Sequence, residues 1–178
     1  MQKIVLTFGV ISGVIMAGMM ILTMALMKRG DFINFDNGEI IGYSSMVLAF
    51  ILVFFGIRSY RENVGGGRIS FGKAFQVGIL VTLISCAFYV GTWEILYYNF
   101  VPDFGDKYAA HQIDRMRARG ATQAQIDATR AEMERFKKMY TNPAVNAGMT
   151  FLEVFPVGLV ITLVSAAILR RRTQVQPA

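Results

Sequence analysis

Three sets of residues in this chain have types and spacings that could do chemistry. Residues 67–74 read GRISFGKA, one residue away from the phosphate-loop pattern G-x-x-x-x-G-K-[ST]. Two carboxylates, Glu94 and Glu153, sit in or beside long apolar stretches, where an ionisable group is a candidate for proton, ion or ligand work. The single histidine, His111, has Asp103, Asp106 and Asp114 close by in sequence, and the four together could hold a metal.

Each set also has a plainer reading. A phosphate loop follows a strand, opens a soluble helix and supplies a Ser/Thr hydroxyl to magnesium. Here Ala74 stands where the hydroxyl is needed, and the following AFQVGILVTL is apolar enough to enter a membrane. No nucleotide is expected. Gly65, Gly66 and Gly67 read as a flexible turn, and Lys73, Phe71 and Phe75 as interface markers. His111 and its aspartates lie in a polar helical stretch without a second histidine or a cysteine, so no metal is expected. No G-x-S-x-G nucleophile motif is present, and the lone Cys86 founds no disulfide framework. No cofactor and no enzymatic activity are expected.

What positions these residues follows from composition. The chain is 17% charged and 54% hydrophobic, against about 25% charged in ordinary soluble domains. The apolar excess falls in four blocks bounded by charge, which is the mark of an integral membrane protein. The first block, residues 4–27, is too long for a signal-peptide core and reads as a retained helix. Lipid cannot accommodate open sheet edges, so the blocks must be helices. The prediction is one all-α membrane domain over residues 1–178. It is a four-helix bundle with transmembrane helices at about 4–27, 41–57, 74–98 and 147–169.

The net charge of +6 does not point to nucleic acid. Lys3, Arg58, Arg61, Arg68, Lys73, Arg170, Arg171 and Arg172 flank the spans on the side of the termini. Lys28, Arg29, Lys107, Lys137 and Lys138 are the near-membrane set on the other side. The larger set is expected inside, which places both termini in the cytoplasm.

Between the third and fourth blocks, residues 106–140 read as an extramembrane helical hairpin. Ala109, Ile113 and Met116 keep helical spacing before Gly120. Thr122 and Gln125 then form a capping-box pattern, and Ile126, Met133, Phe136 and Tyr140 form one apolar stripe. Glu134 and Lys138 are spaced to pair, and Asn142-Pro143 stops the helix. The hairpin is expected to pack on the membrane-side ends of the bundle or on a partner.

The GIRSYR end of the second span, SFGKAFQVG opening the third, WEILYY closing it and FLEVFPVGL opening the fourth resemble a bacterial membrane family, domain of unknown function 4199. The resemblance covers nearly the whole chain. It implies a bacterial four-helix membrane protein. It implies no activity and carries over no catalytic residue.

Depth frames the two glutamates. Glu94 lies about 30 Å along a helix from Ala74, and Glu153 about 25 Å from Arg170. Both reach the interface that carries Lys28 and Arg29, which could pair with them. Each is either a solvated or paired interfacial carboxylate or part of a relay or ligand site. Trp93, Tyr97 and Tyr98 suit an aromatic belt or a pocket wall. Pro156 cannot donate to the Leu152 carbonyl, and a kink there would leave a polar spot near Glu153. Glu94, Glu153, Trp93 and Pro156 are thus the candidate polar site. Small residues at four-residue spacing are Gly9, Gly13 and Ala17; Ala74, Gly78, Thr82 and Cys86; and Gly158, Thr162 and Ala166. They predict the packing seam of the bundle or of a dimer.

The expected function is a non-enzymatic structural or interaction protein of the bacterial inner membrane. It would be embedded in the bilayer, with a homo-oligomeric or envelope-protein partner. The alternative is a subunit of a small oligomeric transporter or channel that uses Glu94 and Glu153.

Overall fold

The computed structural model describes residues 1–29 and 34–171. Arg172, counted above among the basic flanks, lies outside them. The described residues form six helices: α1 Gln2–Arg29, α2 Phe35–Asn63, α3 Phe71–Asn99, α4 Phe104–Ala118, α5 Gln123–Tyr140 and α6 Pro143–Leu169. Among them α1, α2, α3 and α6 are long and apolar enough to cross a membrane.

The long helices run past the charge-free blocks, α1, α2 and α3 at both ends and α6 at its start, most of all α2, expected at 41–57 and found at Phe35–Asn63. Charges mark where hydrocarbon ends, whereas a helix ends where its backbone finds a cap. Asn34 supplies one: its side chain accepts from the Asp36 and Asn37 amides, and Asn37 reaches back to the Asn34 amide. Asn142-Pro143 likewise does more than stop α5. Asn142 Oδ1 accepts from the Ala144 amide at 3.0 Å, and Pro143 takes the first turn of α6, where a missing N–H goes unneeded.

Residues 67–74 form a turn and a cap. Gly66 and Gly67 have φ of 57° and 81°, a region open to glycine. Ile69 forms an isolated bridge with Arg171, whose amide donates to the Ile69 carbonyl at 3.0 Å. Ser70 then caps α3 by accepting from the Lys73 amide. The preceding element is α2, a helix.

Within the bundle α2 and α3 each pack against all the other long helices. Phe50, Val53, Ile57, Val77, Val81 and Val154 are fully buried between them. The small-residue stripes are occupied inside the chain. A Cβ on Gly9 would stand 2.9 Å from Ile84, one on Gly13 2.6 Å from Phe88, and one on Gly78 2.8 Å from Thr162. One on Gly158 would stand 2.7 Å from Phe50. These contacts join α1 to α3, and α6 to α3 and α2. Ala17 continues the α1 stripe half-buried. The seam carries polar glue as well: Thr82 and Thr162 hydroxyls lie 2.9 Å apart, and Ser12 donates to the Ala49 carbonyl at 3.0 Å. Lipid tails are as apolar as leucine, so close packing and such bonds carry helix association.

Gly120, at φ 76°, separates α4 from α5, and the Thr122–Gln125 capping box opens α5. The two helices touch, and α5 also touches α6. Among the described residues the ion pair that α5 makes is not the expected Glu134–Lys138. It is Lys137 to Asp106 across to α4.

Candidate functional site

Above the seam, at the end away from the chain termini, the four long helices part around a cavity of about 580 Å³. Each wall comes from one element. α1 contributes a methionine face of Met16, Met20, Met24 and Met27, at i, i+4, i+8 and i+11 and therefore on one side of the helix. α2 contributes Glu39, Gly42, Tyr43 and Met46, α3 contributes Tyr89, Trp93 and Tyr97, and α6 contributes Thr150 and Glu153. Phe104 and Tyr108 of α4 and Met133, Phe136 and Tyr140 of α5 complete the lining.

α4 and α5 are fixed over this end by directional contacts. The Trp93 indole N–H donates to the Tyr140 hydroxyl at 2.8 Å. That hydroxyl lies 3.3 Å from Thr150 Oγ1, which lies 3.3 Å from Asn146 Oδ1. One chain of polar contacts thus ties α3, α5 and α6. The Asn146 Nδ2 at its end is buried with no partner among the described residues. Burial pushes the Tyr140 phenol up from its ordinary 10.0, opposed by its bonds to Thr150 and Trp93, with the charge of Glu153 adding to the rise. Aromatic edges reinforce the closure: Trp93 packs T-shaped on Phe104 at 5.1 Å and Tyr97 on Tyr140 at 5.3 Å.

On the α2 side, Phe35 packs on Phe104 and His111 at 5.7 and 5.3 Å. His111 Nε2 and Arg115 Nη1 both approach Asp36 Oδ1, at 3.2 and 3.4 Å. His111 is therefore an anchor of α4 onto α2. The aspartates near it are dispersed: Asp103 pairs with Lys107, Asp106 with Lys137 and Asp114 with Arg117. The Lys107 ammonium holds the Asp103 carboxyl below its usual range. No group of metal-binding side chains is assembled among the described residues.

The four residues singled out from sequence separate. Trp93 and Glu153 line the cavity; Glu94 and Pro156 do not. Neither glutamate makes the expected pair with Lys28 or Arg29 among the described residues. Glu94, next to Trp93 on α3, lies off the cavity wall, and its Oε1 is buried with no hydrogen-bond partner among the described residues. Pro156 lies inside α6, three positions beyond Glu153 but not on this cavity's wall. Trp93 and Tyr97 line the cavity and are only 8% and 6% exposed, whereas Tyr98 is 39% exposed.

Sequence reading passed over Glu39, Tyr43, Tyr89 and the methionine face. The methionine spacing was the available signal. Glu39 gives no such signal, because nothing local shows that it and Glu153 share one cavity.

No curated protein and no solved structure matches this chain. A family model described as "Protein of unknown function (DUF4199)" does match it, over residues 7–171, and with nearly the whole sequence covered, four long apolar helices included, the chain belongs to that family.

Proposed function

We propose that the protein is a non-enzymatic, ligand-binding membrane protein of the bacterial inner membrane, with both termini cytoplasmic and α4–α5 as an extracytoplasmic hairpin closing the cavity. The observation that carries this reading is the cavity itself. It is large enough for a small molecule and lined by aromatic and methionine side chains. It is closed at one end by helices that join the spans through a few specific bonds. Depth supports the placement. Tyr89 and Trp93 lie about 24 and 30 Å along α3 from Lys73, so the cavity occupies the outer part of a hydrocarbon layer about 30 Å thick. Occupancy would be felt by α4 and α5, whose outer faces are free to meet a second copy or an envelope protein.

The test is retention. Protein purified in a mild non-ionic detergent is examined by native mass spectrometry for a bound hydrophobic molecule, wild type beside Gly42→Phe. A Cβ at Gly42 meets nothing within 4 Å, so phenylalanine enters the cavity without disturbing the seam. Loss of a retained molecule in Gly42→Phe is expected; identical spectra carrying no adduct would remove the ligand reading. Orientation is read separately: with Cys86→Ser and Gln123→Cys, a membrane-impermeant thiol reagent labels intact cells if α5 is outside. Labelling only after lysis would reverse the topology.

A transporter subunit is the second reading, favoured by Glu153 on the cavity wall. Glu94, assigned alongside it from sequence, lines no part of that cavity. Flux into proteoliposomes that survives Glu153→Gln unchanged would count against this reading.

A further inference from the structure

We propose that the ligand of this cavity is a hydrophobic cation: an ammonium or comparable monocation carried on a bulky apolar body. The inference rests on the reading of the cavity as a ligand site and adds the chemistry of what enters it.

Charge on the wall is one-sided. Glu39, Glu132 and Glu153 line the cavity, and Lys137 is the one basic residue that does among the described residues. Lys137 is committed to Asp106. Glu39 and Glu153 have no hydrogen-bond or ion-pair partner among the described residues. They come from different helices, α2 and α6, and line the same cavity. A cation held there would gain from both. An anion would find no uncommitted cation on the wall among the described residues.

The rest of the wall suits the same ligand. Tyr43, Tyr89 and Trp93 offer aromatic faces, which attract cations through the ring quadrupole and do so best where water is thin. The α1 methionines are flexible and polarizable and can mould around an irregular apolar body. Tyr43, 42% exposed, stands on the same helix as Glu39, so the acidic side of the cavity is its accessible side. A small hydrated metal ion would waste this apolar lining; a neutral apolar molecule would leave both carboxylates unanswered.

Trp93 is the single tryptophan in the chain and lines the cavity, which gives a direct readout. Tetraphenylphosphonium is titrated into the full-length protein in dodecyl maltoside while Trp93 emission is followed, beside tetraphenylborate, which has the same shape and the opposite charge. Saturable quenching by the phosphonium alone is expected. Glu153→Gln and Glu39→Gln should each weaken it by about tenfold, the size of one lost close charge contact. Should one variant fail to fold, the other variant and the comparison of the two ions still decide. If both ions bind alike and neither substitution matters, the cation proposal is overturned while the ligand cavity stands. If neither ion quenches Trp93 and native mass spectra carry no adduct, both readings fall. Added phosphatidylethanolamine separates the sources: competition with the phosphonium makes a lipid headgroup the natural cation, and its absence makes it a free molecule.

Discussion

The two ends of the same four helices are built from different residues, and they behave differently. At the end near the termini, Gly9, Gly13, Gly78 and Gly158 let backbones approach until a single added Cβ would collide. Small hydroxyls bond across the gaps. At the other end the facing residues are methionine, tyrosine, tryptophan and glutamate. Side chains of that size hold helices apart, and with α4 and α5 across the top they enclose space instead of filling it. Small residues therefore set the crossing of the helices, and large ones set the cavity above it.

Glycine replacement breaks this comparison most directly. Gly158→Ala drives a Cβ onto the Thr82 methyl and to within 2.7 Å of Phe50, a fully buried ring with no room to retreat. It should destabilise the protein by about 1–3 kcal/mol, the usual range for overpacking. Gly42→Ala places the same methyl in the cavity wall, where nothing lies within 4 Å. It should be neutral or stabilise by up to about 1 kcal/mol through helix propensity. Unfolding in mixed micelles measures both. Equal effects at the two sites would mean that the two ends pack alike.

Closure of the upper end is tested next. Tyr140→Phe removes the acceptor for the Trp93 indole and strands a buried donor, at a cost of about 1–2 kcal/mol. Trp93 emission should shift to longer wavelength as α5 loosens, with the lower seam intact. An unchanged spectrum and unchanged proteolysis at the α4–α5 junction would show that this bond does not hold the cap.

These two ends were unequally legible in the sequence. The seam was readable because small residues at i and i+4 necessarily share a helix face, so Gly78 and Thr82 announce a contact surface by themselves. The helical character of residues 106–140 was readable from Gly120 and the Thr122 capping box for the same reason: both signals are local. The cavity was not. It depends on Tyr140 of α5 meeting Trp93 of α3 and Thr150 of α6, and on Glu39 of α2 facing the space that Glu153 faces. No spacing within one helix encodes such meetings. Glu94 illustrates the converse. Adjacent to Trp93 in sequence, it looks like part of one site, yet it lines no part of the cavity that Trp93 lines.

The hydroxyl pair in the seam should show a smaller effect. Thr82→Val leaves the buried Thr162 hydroxyl without its 2.9 Å partner. Hydrogen bonds between membrane helices average about 0.6 kcal/mol, and Thr162 can turn to its own i−4 carbonyl, so a loss of about 0.5–1 kcal/mol is expected. Thr82→Val with Thr162→Val should lose less than the single change, because no hydroxyl is then stranded. A double variant as damaged as the sum of the two singles would mean that the methyl contacts, not the bond, hold α3 to α6.

The smallest effect is a pH effect confined to the upper end. The Asp106 hydrogen bond raises Lys137 above its ordinary 10.5, and burial raises Tyr140 above 10.0. Both groups bind their protons more tightly in the folded protein than in the unfolded chain. The stability they contribute is therefore fully present at neutral pH and is lost as pH rises above those ordinary values through the raised ones. Because Lys137 is solvent-exposed, its share is small and screened by salt. Alkaline titration should loosen α5 before the seam responds, since Ser12, Thr82 and Thr162 carry no titrating group. Absorbance at the tyrosinate band, wild type minus Tyr140→Phe, isolates one phenol. It should titrate above 10.0, and Trp93 emission should change over the same pH interval. A Tyr140 that titrates at or below the ordinary value would place it in water, and the cavity would then be open at the end where α4 and α5 are drawn across it.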